Sequence, residues 1–68
     1  MTNRPNRLVR WFDSQHLPQP LKDVVLPFAM LAESIDKALP DGAEKTAGLR
    51  KLLEAKDCIV RAMIEAGE

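Results

Sequence analysis

Leu39-Pro40-Asp41-Gly42-Ala43-Glu44 is the stretch that decides the fold. Proline disfavours helix in the residue before it, and a Pro-Asp-Gly run is strong turn chemistry. Asp41 is a good N-cap for a following helix, and Glu44, three residues on, completes a capping-box pattern. One helix should therefore end near Leu39 and a second should begin near Gly42. A connection this short makes the two helices antiparallel neighbours.

Outward on the C-terminal side, the second helix is expected to run to about Ala66, with no proline and only Gly48 to weaken it. Leu49, Leu52, Leu53, Ile59, Val60 and Met63 recur at helical spacing and supply a core face. Ala47, Ala55, Cys58, Ala62 and Ala66 lie beside that face. Such small residues let another helix approach closely, although alanine is also simply a good helix former. On the N-terminal side, the apolar residues between Pro20 and Leu39 (Leu21, Val24, Val25, Phe28, Leu31, Ala32, Ile35 and Leu39) again mark one helical face. Pro27 interrupts it, as a kink or as a break between two helices. The stripe stays in phase across it, which favours the kink.

The chain thus divides into an N-terminal basic-aromatic arm, residues 1–19, and a helical hairpin, residues 20–68. Pro5 to Phe12 could form about two turns of helix with Leu8, Trp11 and Phe12 on one side. Pro18 and Pro20 read as an extended lead-in. The fold class is all-α, with no convincing strand.

Sixty-eight residues give a small core. Ordering each residue costs on the order of 1.5 kcal/mol, and burial at roughly 25 cal/mol per Å² barely offsets that. One cysteine excludes an intrachain disulfide, and one cysteine with one histidine excludes a Cys/His zinc site within the chain. Partner chains are the remaining remedy, so a helical homo-oligomer is expected. Ten basic and ten acidic residues cancel, which argues against DNA or a membrane surface as the partner. There is no apolar run near 18 residues and no signal-peptide pattern, so the expected location is cytosolic.

Catalysis has little support. His16 lies between prolines with no nucleophile placed near it, and Cys58 is a small residue among apolar neighbours. The carboxylates alternate with bases at helical spacing, as in Glu33–Lys37 and Asp57–Arg61, which reads as solvated helix surface. No enzyme activity and no cofactor are expected. Anion binding has more. The second helix presents its first amides and dipole near Lys45 and Thr46, with Arg50 and Lys51 one turn on, a set that could hold a phosphate. Asp41 and Glu44 compete for the same amides. In the arm, Arg7, Arg10, Trp11 and Phe12 combine cations with rings, as stacking on a base beside a phosphate requires. The competing reading is that Trp11 and Phe12 staple the arm onto the hairpin.

From His16 to the C-terminus the sequence resembles one family. His16-Leu17-Pro18, Pro27-Phe28 with Leu31-Ala32, the Leu39-Pro40-Asp41-Gly42 turn, Glu44-Lys45-Thr46 and Leu49-Arg50-Lys51-Leu52-Leu53-Glu54-Ala55 carry the likeness. The family is the helical-hairpin domain shared by phage anti-CBASS and anti-Thoeris sponge proteins. The resemblance implies a non-enzymatic assembly, commonly a hexamer. It would trap cyclic dinucleotides, cyclic trinucleotides or cyclic ADP-ribose isomers between protomers, in the cytoplasm of the infected bacterial host. Relatives often carry a tyrosine just upstream of His-Leu-Pro, where this chain has Ser14. If that ring stacks on a base, either Trp11 or Phe12 substitutes for it here or that pocket is lost.

Overall fold

The computed structural model describes residues 6–67, and they form an all-helical chain. A short 3-10 helix, Val9–Phe12, precedes two α-helices, α1 over Gln19–Ala38 and α2 over Ala43–Ala66. The two long helices pack side by side as a hairpin, and the 3-10 segment packs on both. The result is a rod measuring 47 × 20 × 14 Å.

Proline chemistry sets both ends of α1. Pro18 is extended, at φ −61° and ψ 155°, and Pro20 sits in the first helical turn, where a missing N–H has no intrahelical acceptor to lose. At the other end Leu39 is forced extended by Pro40, at φ −121° and ψ 143°, and its N–H still reaches Ile35 O at 3.1 Å. Pro27 lies within α1, which runs through it as one helix. Pro27 and Asp23 are both exposed, so water can reach the Asp23 carbonyl that has lost its donor.

The start of α2 departs from the capping box expected of Asp41 and Glu44. Gly42 occupies the N-cap position, and no side chain caps the helix. The Asp41 carboxylate turns instead to the Lys45 ammonium, 3.1 Å away. An ammonium offers a carboxylate a charge-assisted bond, which outweighs a neutral amide.

The core is small and has three contributors. Phe12, Ala32 and Leu49 are buried together, one from each element, with Leu8, Val9, Phe28, Ile35, Leu52 and Leu53 packed around them. Val25 is also buried. In a 3-10 helix residues three apart eclipse, so Val9 and Phe12 face the hairpin together. The arm and the hairpin therefore share one core.

Three residues expected in the core lie outside it: Leu31 is 50% exposed, Leu39 51% and Ile59 41%. Leu31 and Ile59 stand about 100° around their helices from the buried Ala32 and the half-buried Val60. A hairpin with one arm covers less than the full width of those stripes. Leu39 lies past the last turn of α1. Leu26, Met30 and Ile64 are exposed too, as are Ala55, Cys58, Ala62 and Ala66 of the small-residue band. The accessible surface is 5287 Å², against about 4,300 Å² for a compact monomer of 7.6 kDa.

No described helix is long and apolar enough to cross a membrane.

Candidate functional site

Asn6 opens the described part of the arm and fastens it to the turn end of the hairpin. Its backbone N–H donates to Asp36 Oδ2 at 2.9 Å, and its side-chain amide donates to Thr46 Oγ1 at 3.4 Å. Its own carbonyl oxygens then seed the 3-10 turn. Leu8 N–H donates to Asn6 Oδ1 at 2.9 Å and Val9 N–H to Asn6 O at 2.9 Å, an Asx-type start that leads into 3-10 geometry. Of the expected helix over Pro5 to Phe12, only this single turn forms, and Pro5 lies outside the described residues.

With Val9 and Phe12 turned inward, the neighbours at positions 10 and 11 turn outward. Phe12 is 1% exposed and Trp11 is 57% exposed. The expectation that Phe12 stacks on a ligand is therefore corrected: its ring fills the groove between α1 and α2. Trp11 does not staple the arm. Its indole stands free, with the Arg10 guanidinium carbon 5.3 Å from the ring centroid. At an exposed position such a cation–π contact contributes about 0.5–1 kcal/mol. It orients both groups more than it stabilises the fold.

Lys45 is also corrected. Expected as a countercharge for phosphate, it is instead buried, its side chain 5% exposed, among four oxygens of its own chain. The ammonium lies 2.8 Å from Asp36 Oδ1 and 3.1 Å from Asp41 Oδ1, and donates to Asp36 O at 3.0 Å and Leu39 O at 2.8 Å. It ties off the last carbonyls of α1, which the helix itself leaves unpaired. The hydrogen bond from Lys45 holds the Asp36 carboxyl below its usual range, helped by the Asn6 N–H and opposed by burial. The same bond raises Lys45 above an ordinary lysine.

A pH profile follows with definite signs. Asp36 is depressed on folding, so its contribution is whole above the ordinary aspartate pKa of about 3.9 and is lost as pH falls through the folded value. Lys45 is raised, so its contribution is whole below the ordinary lysine value of about 10.4 and is lost as pH rises through the folded one. Thermal melts should show stability from this pair level between those limits and falling outside both. An Asp36→Asn variant should flatten the acid limb, and an unchanged limb would refute the assignment.

The remaining expected site residues do not form one site within the chain. Arg7 and Arg50 are exposed, and Thr46 is half-buried under its bond from Asn6. Arg10 and Trp11 border a cleft of about 440 Å³ against the C-terminal half of α2. Its cationic and aromatic lining is completed by His16, Lys56 and Arg61, over a floor that includes Val25 and Val60. Asp13 and Asp57 line it too. From Thr46 to Lys56 is about 15 Å along α2, so Trp11 and the start of that helix are different places.

Helical spacing pairs Asp57 with Arg61 as ordinary surface and gives no sign that Lys56 and Arg61 line a cleft. In the structure Asp57 takes Lys56 instead, at 2.7 Å, and Arg61 donates to Cys58 Sγ at 3.3 Å. Glu33–Lys37 does pair, at 4.0 Å between exposed groups, where the contribution is small. The signal that could have revealed the cleft is the spacing of Thr46, Arg50, Asp57 and Arg61, which share the side of α2 where the arm lies.

Ser14 is buried, so its position offers no surface for a stacking ring. Of the two aromatic residues of the arm, only Trp11 is exposed.

No family model matches the chain, and neither a curated protein nor a solved structure matches it.

Proposed function

We propose that this chain is a phage anti-defence sponge. It binds cyclic oligonucleotide or cyclic ADP-ribose-type immune signals and sequesters them without cleaving them. The observation that carries the reading is the exposed Trp11 indole with Arg10 on its face beside an open cleft. An exposed ring next to guanidinium groups is what a base with an attached phosphate recruits. The motifs from His16 to Ala55 support the same reading through their likeness to the sponge hairpin.

The working form is a homo-oligomer, a hexamer by analogy with that family, in the host cytoplasm. The apolar side chains left on the surface of one chain, among them Met30 at 61% exposure, support assembly, since large exposed apolar patches mark contact surfaces. Arg7, Arg10 and Trp11 would meet the ligand, with Thr46 and Arg50 contributing from the turn end of the same or a neighbouring chain. No cofactor, DNA or membrane enters this reading.

Native mass spectrometry and calorimetry against cyclic dinucleotides, cyclic trinucleotides and cyclic ADP-ribose isomers test it. Binding of at least one at micromolar protein, with the ligand released intact on denaturation, is the expected result. Silence across the panel overturns the proposal. A second reading, a structural module that docks a protein partner, draws on the same exposed apolar residues. It would gain from retention of one defined protein with no small molecule bound.

A further inference from the structure

The cleft beside Trp11 has a charge and a size that narrow what it can hold. Arg10, Lys56 and Arg61 face Asp13 and Asp57 around it, leaving one positive charge in excess at neutral pH. The three cations are not equally available. Lys56 is held by Asp57 at 2.7 Å, and Arg10 lies against the indole. Arg61 pairs with no carboxylate among the described residues; its contact is the Cys58 sulfur at 3.3 Å. A thiol sulfur is a weak acceptor, so the planar guanidinium keeps its capacity for two parallel bonds to an anionic oxygen pair.

We infer that this cleft holds a single nucleotide unit, its base on Trp11 and its one phosphodiester on Arg61, with His16 at the edge as a further polar contact. The inference rests on the sponge reading and specifies its site. One phosphodiester carries one negative charge, equal to the cleft's excess, whereas a triphosphate brings several more to a site that also holds two carboxylates. The volume of about 440 Å³ falls toward the lower end of the roughly 300–1,000 Å³ of small-molecule sites. That suits one unit, and the rest of a cyclic oligonucleotide would lie outside the cleft. The turn end of α2 is less suited to the phosphate, because its lysine is already bound to four oxygens of the chain.

Trp11 is the one tryptophan of the sequence, so its fluorescence reports on this place alone. Full-length protein is titrated with 3′,5′-cyclic AMP, 3′,5′-cyclic GMP, a cyclic dinucleotide, ATP and inorganic phosphate. At least one cyclic mononucleotide should quench the emission and compete with the cyclic dinucleotide. ATP should bind more weakly than that mononucleotide, and phosphate should leave the emission unchanged. Arg61→Gln should weaken quenching by about tenfold or more, as loss of a charged hydrogen bond requires. Lys37→Gln, the same loss of one charge at an exposed lysine of α1 outside the cleft lining, should leave it within about twofold; circular dichroism checks that both variants are folded.

If the cyclic dinucleotide binds by calorimetry but Arg50→Gln weakens it and Arg61→Gln does not, the phosphate site is at the turn end. The inference then fails and the sponge reading stands. Binding with no change in Trp11 emission has the same meaning. If no nucleotide binds by either method, the inference falls, and the sponge reading falls with it only when cyclic trinucleotides and cyclic ADP-ribose isomers are silent too.

Discussion

Phe12→Ala should abolish cooperative folding of the protein at ordinary temperatures. The ring is 1% exposed at the junction of the arm, α1 and α2, and truncating a buried phenylalanine costs roughly 3–5 kcal/mol. A domain of this length has about 3–10 kcal/mol in total. The loss is therefore comparable with the whole stability of the chain. Circular dichroism against temperature should show a broad, shallow melt where the parent shows a sigmoidal one. Trp11→Ala, one residue away and exposed, should leave the melt nearly unchanged while removing ligand binding. That contrast separates the two aromatic residues: Phe12 builds the fold, and Trp11 stands on the surface. A sharp, parent-like melt for Phe12→Ala would show that the arm does not share the core.

The second large effect is expected at Lys45. Replacing it with methionine keeps most of the volume and removes the ammonium, leaving Asp36 Oδ1 buried without its ion-pair partner and the Asp36 and Leu39 carbonyls without their donor. A buried carboxylate left alone is far costlier than a surface pair is valuable. The midpoint of thermal unfolding should fall by on the order of 10 °C or more. Asp41→Asn is the internal control. Its carboxylate is 73% exposed, so its loss should shift the midpoint by only a few degrees. The paired variant Asp36→Leu with Lys45→Met should recover only part of the loss: no charge is left unpaired, but the Asn6 N–H and the Asp36 and Leu39 carbonyls lose their partners. Equal effects of Lys45→Met and Asp41→Asn would mean that the buried bonds do not hold the turn.

Phe12 and Lys45 both suit ligand contact by type: a ring for a base, an ammonium for a phosphate. Sequence spacing places such residues on faces but does not say which face the protein uses for itself. Phe12 and Trp11 stand about 120° apart in the 3-10 turn, and only Phe12 faces the core. The choice depended on the 3-10 geometry that Asn6 starts and on the groove the hairpin presents. Lys45 was decided by reach. A four-carbon stem from the first turn of α2 meets the unpaired carbonyls at the end of α1 only because the turn brings the two ends together.

The cleft shows the same limit from the other side. Lys56 and Arg61 are far in sequence from Arg10 and Trp11, and nothing local joins them. They meet because the arm runs from the turn end along α2 and delivers Trp11 near its C-terminal half. Asp57 was assigned to Arg61 on helical spacing, but it pairs with its neighbour Lys56. The Lys56 side chain is largely buried beside Asp57, and helical spacing carries no information on such burial.

By itself the sequence determined the elements. Leu39-Pro40-Asp41-Gly42 ended one helix and began the next, Pro18 and Pro20 set the first helix start, and the apolar period picked out Val25, Ala32 and Leu49 as buried. Those outcomes follow from backbone geometry and residue period, which act over a few residues. Tertiary structure decided that Phe12 completes the core, that Lys45 closes the turn, and that Trp11 stands free beside Arg61's cleft. Each of those is a competition between partners distant in the chain, and the winner depends on which surfaces the hairpin brings within a few ångströms.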